Sequence, residues 1–593
     1  MLKVWGIALS GAAGIVLSGC GGGDGVSSTP TPVAAPPPAP VNTTITDLRA
    51  SQSFTNDAAK TDVSFNLTSK TTIMAKATNA PLAITYDAAS NSYLVTSAGT
   101  AETFTSTDKQ LGTIPGEARY SHRSVTSSSY LTLVTTPYYG TTSNRYVGLG
   151  YLQRNAVSGD RQDTGFATFT YGLDTAASGV PKAGSGKFAT DVFGLESVPG
   201  SEPNVFQGRG RFDVDFVNGL YSTTTSVTRT GLISGQGVVG GGIDLTGGGR
   251  LASTNGTFSG EVVYSNGSRQ IGGVLAGRFY GPNGEEIGAS FYGSASDGSA
   301  FNGSLTGQHD ATLSPVNISF ARLVTPQLFY ADATTLTVLT ARTGEVRQIF
   351  DYPGLLGSGV SRSQFNDKTS GNVSFGPPTS NLAGGDYTVT AIVGGDANFT
   401  SYARTIAGQS TRLELYKTGA DNRELALTYA SFGRYSTSID SDPIQTEADR
   451  VFFVYGFNTP NGLFANRTGT ASYAGVAYGA GANPAGTLYD VTGSSRLTVD
   501  FGSQSLSGSL SLRGTNGLSS IDYGAFGFAG KLFSYGSSAT ADISRTAGAS
   551  LGSMLINFYG PSAEEVGGLY RLRVPDGVGA NTLITGAMVA KKQ

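Results

Sequence analysis

The sequence predicts an all-β fold built from two similar halves. Runs that alternate apolar and polar residues recur about every 10 to 15 residues, with Gly, Asn or Ser between them, as in an antiparallel sheet or barrel. The 593 residues include 84 Gly but only 23 Pro, with 28 Tyr and 30 Phe, a balance that suits pleated strands joined by tight turns. The stretch "FYGPNGEEIGASF" (Phe279 to Phe291) returns as "FYGPSAEEVGGLY" (Phe558 to Tyr570).

The chain opens with "MLKVWGIALSGAAGIVLSGC": one Lys, an apolar stretch, then small residues before Cys20. The stretch is too short and too rich in Gly and Ser for a bilayer span, so residues 1–19 read as an export signal. Leu17 to Cys20 resemble a bacterial lipobox, and Cys20 is the only cysteine in the chain. The expectation is a signal cleaved before an acylated Cys20, a tethered mature protein and no disulfide. Gly21 stands where Asp would favour inner-membrane retention, which points to the outer membrane. Residues 20–44 are Gly-rich, then Pro-rich, a flexible leash followed by a stiffer spacer.

Beyond the leash the chain is longer than one core normally serves. In "GRFDVDFVNG" (Gly210 to Gly219), Phe212, Val214 and Phe216 alternate with Asp213 and Asp215, the pattern of a half-buried strand. "SRLTVDFGSQSLSGSLSLRG" (Ser495 to Gly514) reads as a hairpin, with Leu497, Val499 and Phe501 answering Leu506, Leu510 and Leu512. Two regions, Ile45 to about Gly159 and Asn317 to about Thr468, mix short strands with longer polar connections, and each precedes a glycine-rich β block. The expected order is irregular β unit, barrel, irregular β unit, barrel.

The repeated motif reads as a corner that closes each barrel. Phe558 and Tyr559, like Phe279 and Tyr280, end a strand with one ring inward and one outward. Gly560 and Pro561, like Gly281 and Pro282, break the ladder. Glu564 and Glu565, like Glu285 and Glu286, are expected in a solvated turn, and Gly567 or Gly288 falls at the start of the next strand.

This motif resembles the closing segment of the transferrin-binding protein B family, two-lobed surface lipoproteins of Gram-negative bacteria. "YGFNTPNGLFANRTGTASYAGVAYG" (Tyr455 to Gly479) is similar to that family's passage from handle domain into barrel, and "RYVGLGYLQ" with "TGFATFTYG" (Arg145 to Gly172) is a looser version of it. The resemblance implies a bilobal chain, each lobe a small β-rich handle domain plus an eight-stranded antiparallel β-barrel. The expected divisions are a first handle at 45–160, a first barrel at 161–316, a second handle at 317–466 and a second barrel at 467–593. It also implies display on the cell surface by a dedicated translocator, capture of an extracellular protein or iron- or haem-related ligand, and delivery to a TonB-dependent outer-membrane receptor. Family members from pathogens often carry cysteine pairs and charged loops; this chain has no pair and few charges, which weighs against transferrin itself and leaves an environmental iron- or haem-related ligand equally open.

Other chemistries fit poorly. Net charge is −3 with 14% charged residues and no basic stripe, so nucleic acid is not an expected partner. "GQGVVG" (Gly235 to Gly240) is followed by a poor helix, and a phosphate would lack its helix N-terminus. "GASLG" around Ser550 matches a nucleophile elbow, but a β run follows it and the chain has only His122 and His309. With two His and one acylated Cys no zinc site is expected, and "DGVSS" and "SASDGS" lack the spaced acids of a calcium loop. Adjacent glutamates on one strand end point apart, unlike a glycosidase pair. No cofactor, metal or catalytic residue is therefore expected. A transmembrane barrel would make a lipid anchor redundant, and the chain ends "MVAKKQ" without a terminal aromatic.

The resemblance puts recognition mainly on the first lobe. "TTPYYGTTSNRYVGLGYLQR" (Thr135 to Arg154) is the richest candidate, with Tyr138, Tyr139, Arg145, Tyr146 and Tyr151 as the contact types that dominate hot spots. Alternate tyrosines there also suit the core of a handle strand. A structural or adhesive surface lipoprotein without an uptake role is the alternative to ligand capture.

Overall fold

The computed structural model describes residues 41–593 except 113, 239–242, 253, 267–268, 353–362, 368–372, 376–384, 390–394, 407–408, 441, 466, 518, 534–535, 546–548 and 576–579. The expected signal, Cys20 and nearly all of the leash lie outside the described residues. Four assemblies follow one another along the chain, all of them antiparallel: sheets, closed barrel, sheet, closed barrel.

Each barrel has eight strands. The first runs from Ser185–Ser197 to Ala300–His309, the second from Thr470–Ala482 to Asn581–Lys592, and in each the first and last strands pair to close the wall. Alternation builds them. On Ser505–Thr515, Leu506, Leu510 and Leu512 point into the second barrel while Ser507, Ser511 and Arg513 face solvent. Apolar residues inside and polar residues outside is the reverse of a membrane-spanning barrel.

The repeated motif has the same surroundings twice. Phe279 is 1% exposed and packs on Phe188, Phe216 and Phe258 at 5.6–6.1 Å; Phe558 is fully buried among Phe464, Tyr473 and Phe501 at 4.7–6.2 Å. The motif joins the sixth and seventh strands of each barrel, so it does not close the wall as expected; pairing of the first and eighth strands does. Tyr280 and Tyr559 leave the barrel interior but are buried as well, because a handle covers that side. The half-buried strand at Asn204–Asp215 is also covered on its polar face: Asp213 is held by Arg211 at 2.6 Å, and Asp215 accepts the amides of Val217 and Asn218.

The first handle consists of a four-stranded sheet and a seven-stranded sheet. Its core includes Phe54, Ile84, Val95, Phe104, Leu131 and Phe169. Arg161–Gly172 belongs to the seven-stranded sheet, paired with Val147–Ser158 on one side and Asn56–Asn66 on the other. The expected boundary at 161 therefore cuts a hairpin in two, and the barrel begins at Ser185. In the second handle, Gln327–Ala341 pairs with Ser363–Asp367 and with Gln445–Gly456, which curls the sheet back on itself.

Both handles enter their barrels through the same hydrogen bonds. Thr175 Oγ1 donates to Gly281 O at 2.6 Å, and Thr459 Oγ1 to Gly560 O at 2.7 Å. Asn42 Oδ1 accepts the amides of Arg49 and Ala50, while Asn317 Oδ1 accepts those of Val324 and Thr325. The second lobe then docks on the wall of the first barrel. Tyr429 packs with Leu220, the short helix Asn461–Ala465 brings Gly462 against Val263, and Arg467 pairs with Glu261 at 2.5 Å.

Candidate ligand-binding face of the first lobe

The candidate segment is the connection between strands Ser127–Val134 and Val147–Ser158. A free connection of this length would be costly to order on binding. Here two barrel carboxylates hold it. Asp191, 6% exposed, accepts the amides of Tyr138 and Tyr139 at 3.0 and 3.1 Å. Glu286, 5% exposed, accepts those of Arg145, Tyr146 and Val147 at 2.7, 2.8 and 2.9 Å. Between them Gln308 donates to Asn144 Oδ1 at 2.7 Å. Burial pushes the Asp191 carboxyl up to about 6, against the pull of its two amide donors. Glu286 is also raised by burial and opposed by its three donors.

Glu286 corrects the solvated-turn expectation, and Glu565 corrects it again. Glu565 is fully buried and accepts the amides of Thr428, Tyr429 and Ala430 at 2.7, 2.8 and 2.9 Å. The first glutamate of each pair stays with its own turn: Glu285 accepts from Asn283 N and Glu564 from Ser562 N, both at 2.8 Å. The motif is thus a latch from barrel to handle. Its glycine is needed for the fit, since Gly281 has φ +89° and an added Cβ would lie 2.6 Å from the Tyr146 ring; Gly560, with φ +83°, meets the Tyr429 ring in the same way. Pro282 and Pro561 follow at the bend, and Gly288 and Gly567 lie early in the next strand beneath Tyr280 and Tyr559.

The five candidate side chains separate. Tyr138 and Tyr151 pack on Phe193 at 5.6 and 4.6 Å and turn their hydroxyls to Glu117 at 3.4 and 3.3 Å, and burial raises both hydroxyls. They are interface core, as alternate tyrosines on a handle strand can be. Tyr146 is half-buried beneath the Arg145 guanidinium, 5.2 Å from its ring centre. Tyr139, 47% exposed, and Arg145 are open to solvent. Sequence reasoning missed Asp191 and Glu286 as holders of the segment. The signal was the doubled glutamate pair: Glu286 and Glu565 recur at the same place in each motif, and each takes the amide of a handle tyrosine, Tyr146 or Tyr429.

Other candidate chemistries have local uses. Ser550 Oγ donates to Gly552 O at 2.9 Å, Asp297 accepts the Ser299 amide at 3.0 Å, and His122 lies between Glu102 and Asp108 at 2.8 and 3.2 Å. The stretch Gly235 to Gly240 lies partly outside the described residues, and "DGVSS" wholly so. Among the described residues no group of three His, Cys, Asp or Glu is placed to hold a metal ion.

Residues 466–592, the second barrel, match the family described as the C-lobe and N-lobe beta barrels of Tf-binding protein B. That barrel is transferrin-binding protein B-like. Among solved structures, Transferrin Binding Protein B of Haemophilus parasuis Hp5, as a Tyr-167-Ala and Trp-176-Ala double mutant, is 16% identical with a TM-score of 0.26, covering 91% of this chain and 95% of that one. The isotype 1 Transferrin binding protein B of serogroup B Neisseria meningitidis is 17% identical with a TM-score of 0.25, over 78% and 89%. Comparison with curated proteins returns no match. The lobes differ in what meets the latch. Tyr429 is buried against the first barrel, whereas its counterpart Tyr146 is half open.

Proposed function

We propose that the chain is a surface lipoprotein that binds an extracellular protein or an iron- or haem-related ligand without catalysis, and presents it to a TonB-dependent transporter. The match of residues 466–592 to Tf-binding protein B barrels carries this reading. The first-lobe segment supports it physically. Two buried carboxylates order the backbone in advance, so exposed Tyr139 and Arg145 meet a ligand with little further loss of entropy. Acylation at Cys20 anchors the chain in the outer membrane, a translocator delivers it to the exterior, and the leash keeps captured ligand near the transporter.

Affinity capture tests the reading. The chain from residue 41 onward is immobilised and offered serum, then mixtures of haem-carrying proteins. Retention of one iron- or haem-bearing protein, reduced by Tyr139→Ala, is expected. Failure to retain any such protein from either source would overturn it. Radiolabelled palmitate incorporation that disappears in Cys20→Ser, and cleavage of the protein by protease added to intact cells, test anchoring and display.

A further inference from the structure

We propose that the groove beneath the Tyr139 loop is a binding site for a saccharide that bears a carboxylate, such as a terminal sialic acid. This rests on the reading of the first-lobe segment as a recognition face and names a ligand class for it. The groove, about 610 Å³, has the 137–144 loop as one wall and the outer faces of barrel strands Ser185–Ser197, Asn204–Asp215, Leu220–Gly231 and Ala300–His309 as its floor.

Three features select the ligand. Arg209 lines the groove, is exposed, and its guanidinium makes no hydrogen bond or ion pair among the described residues. The acids beside it are occupied: Asp191 holds the loop amides and Asp213 accepts Arg211 Nε and Nη2 at 2.6 Å. A planar guanidinium that no acid pairs, although Asp191 faces it across the strands, suits a carboxylate. Tyr139 stands at the rim, tethered by its hydroxyl to Thr228 at 3.1 Å, so an aromatic face is offered in a fixed position. The floor is mostly polar and short, with Thr224, Ser226 and Gln308, and Leu313 also stands in the lining. The centre of a protein hot spot is a well-packed, desolvated pocket, whereas this groove is open and mostly polar. A sugar acid needs one cation, one ring to lie against and several hydroxyl or amide partners, and the groove supplies all three.

Titration calorimetry of the chain from residue 41, in which Asn42–Gln593 forms one compact unit, with 3′-sialyllactose and with lactose tests this. Saturable binding of sialyllactose in the range of about 0.1 to 5 mM is expected, with lactose at least about tenfold weaker. Arg209→Ala should bring sialyllactose down to the lactose level, and Arg209→Lys should recover part of the loss. Tyr139→Ala should weaken binding about fivefold or more. Both alanine variants should melt within about 2 °C of the parent, because neither side chain is buried. No saturation at about 20 mM, or equal binding by Arg209→Ala, would overturn the proposal. So would tight binding of a hexaglutamate peptide with none of sialyllactose, which would assign the groove to an acidic protein segment. Capture of an iron-bearing protein without sialyllactose binding removes this inference alone; sialyllactose binding without such capture removes the uptake reading and leaves the site.

Discussion

The carboxylate of Glu286 accepts the backbone amide of Tyr146 at 2.8 Å, across 140 residues of chain, and the second lobe repeats the bond at the same length between Glu565 and Tyr429. Each glutamate belongs to a barrel strand and each tyrosine to a handle. Desolvation opposes ionisation of both carboxylates, and three convergent amides offset it in part, leaving both groups raised.

Replacing Glu565 by Gln should destabilise the second lobe by roughly 2–4 kcal/mol, since the amide group turns a donor toward three N–H groups and the charge-assisted bonds are lost. Differential scanning calorimetry measures it. A melting temperature unchanged by Glu565→Gln would contradict the latch.

Gly281→Ala and Gly560→Ala should each cost roughly 1–3 kcal/mol, because both residues are left-handed and face a tyrosine ring. Gly502→Ala serves as the control, its added Cβ meeting only the exposed Asp500 carboxylate at 3.3 Å. Equal losses at the three positions in urea titrations would show that ring contact and backbone hand are immaterial.

Burial raises the Asp191 carboxyl to about 6, so a proton is held more tightly in the folded chain than in the unfolded one. Its contribution to stability is full below the ordinary carboxylate range and is lost as pH rises through about 6. Asp191→Asn should therefore flatten the pH dependence of stability between pH 4 and about 7. An NMR titration of the Asp191 carboxyl with a midpoint near 4 would be the contrary result.

Arg467 and Glu261 join the lobes at 2.5 Å with both side chains largely buried. A double-mutant cycle on Arg467→Ala and Glu261→Ala should give a coupling of about 1–3 kcal/mol. Tyr429→Ala, which empties the contact with Leu220, should split the thermal transition into two. A single unshifted transition would mean that this contact does not couple the lobes.

Tyr151→Ala should cost roughly 3–5 kcal/mol, because its ring stacks on Phe193 between handle and barrel. Tyr139→Ala should leave stability within about 0.5 kcal/mol while weakening ligand capture. The reverse ranking would assign recognition to the buried tyrosine.

Much of the fold was legible because side-chain alternation is a local property. Leu506, Leu510 and Leu512 mark one strand face without reference to any other part of the chain. The doubled "FYGP" motif likewise announced two equivalent barrels, and Phe279 and Phe558 do have matching surroundings. The boundary at 161 was not legible, since Arg161–Gly172 alternates like a barrel strand and only its partners make it a handle strand. In the candidate segment the tyrosines were found by type, but type does not distinguish Tyr151, stacked on Phe193, from Tyr139, open to solvent.

Alone, the order of amino acids determined that this chain is all-β, that it is made twice, and where most strands begin and turn. Only the tertiary structure decided that Glu286 and Glu565 are buried latches instead of solvated turn residues. The reason is that a carboxylate's state depends on the donors brought to it, and these come from handle backbones about 140 residues away, whose amide groups are the same in every sequence.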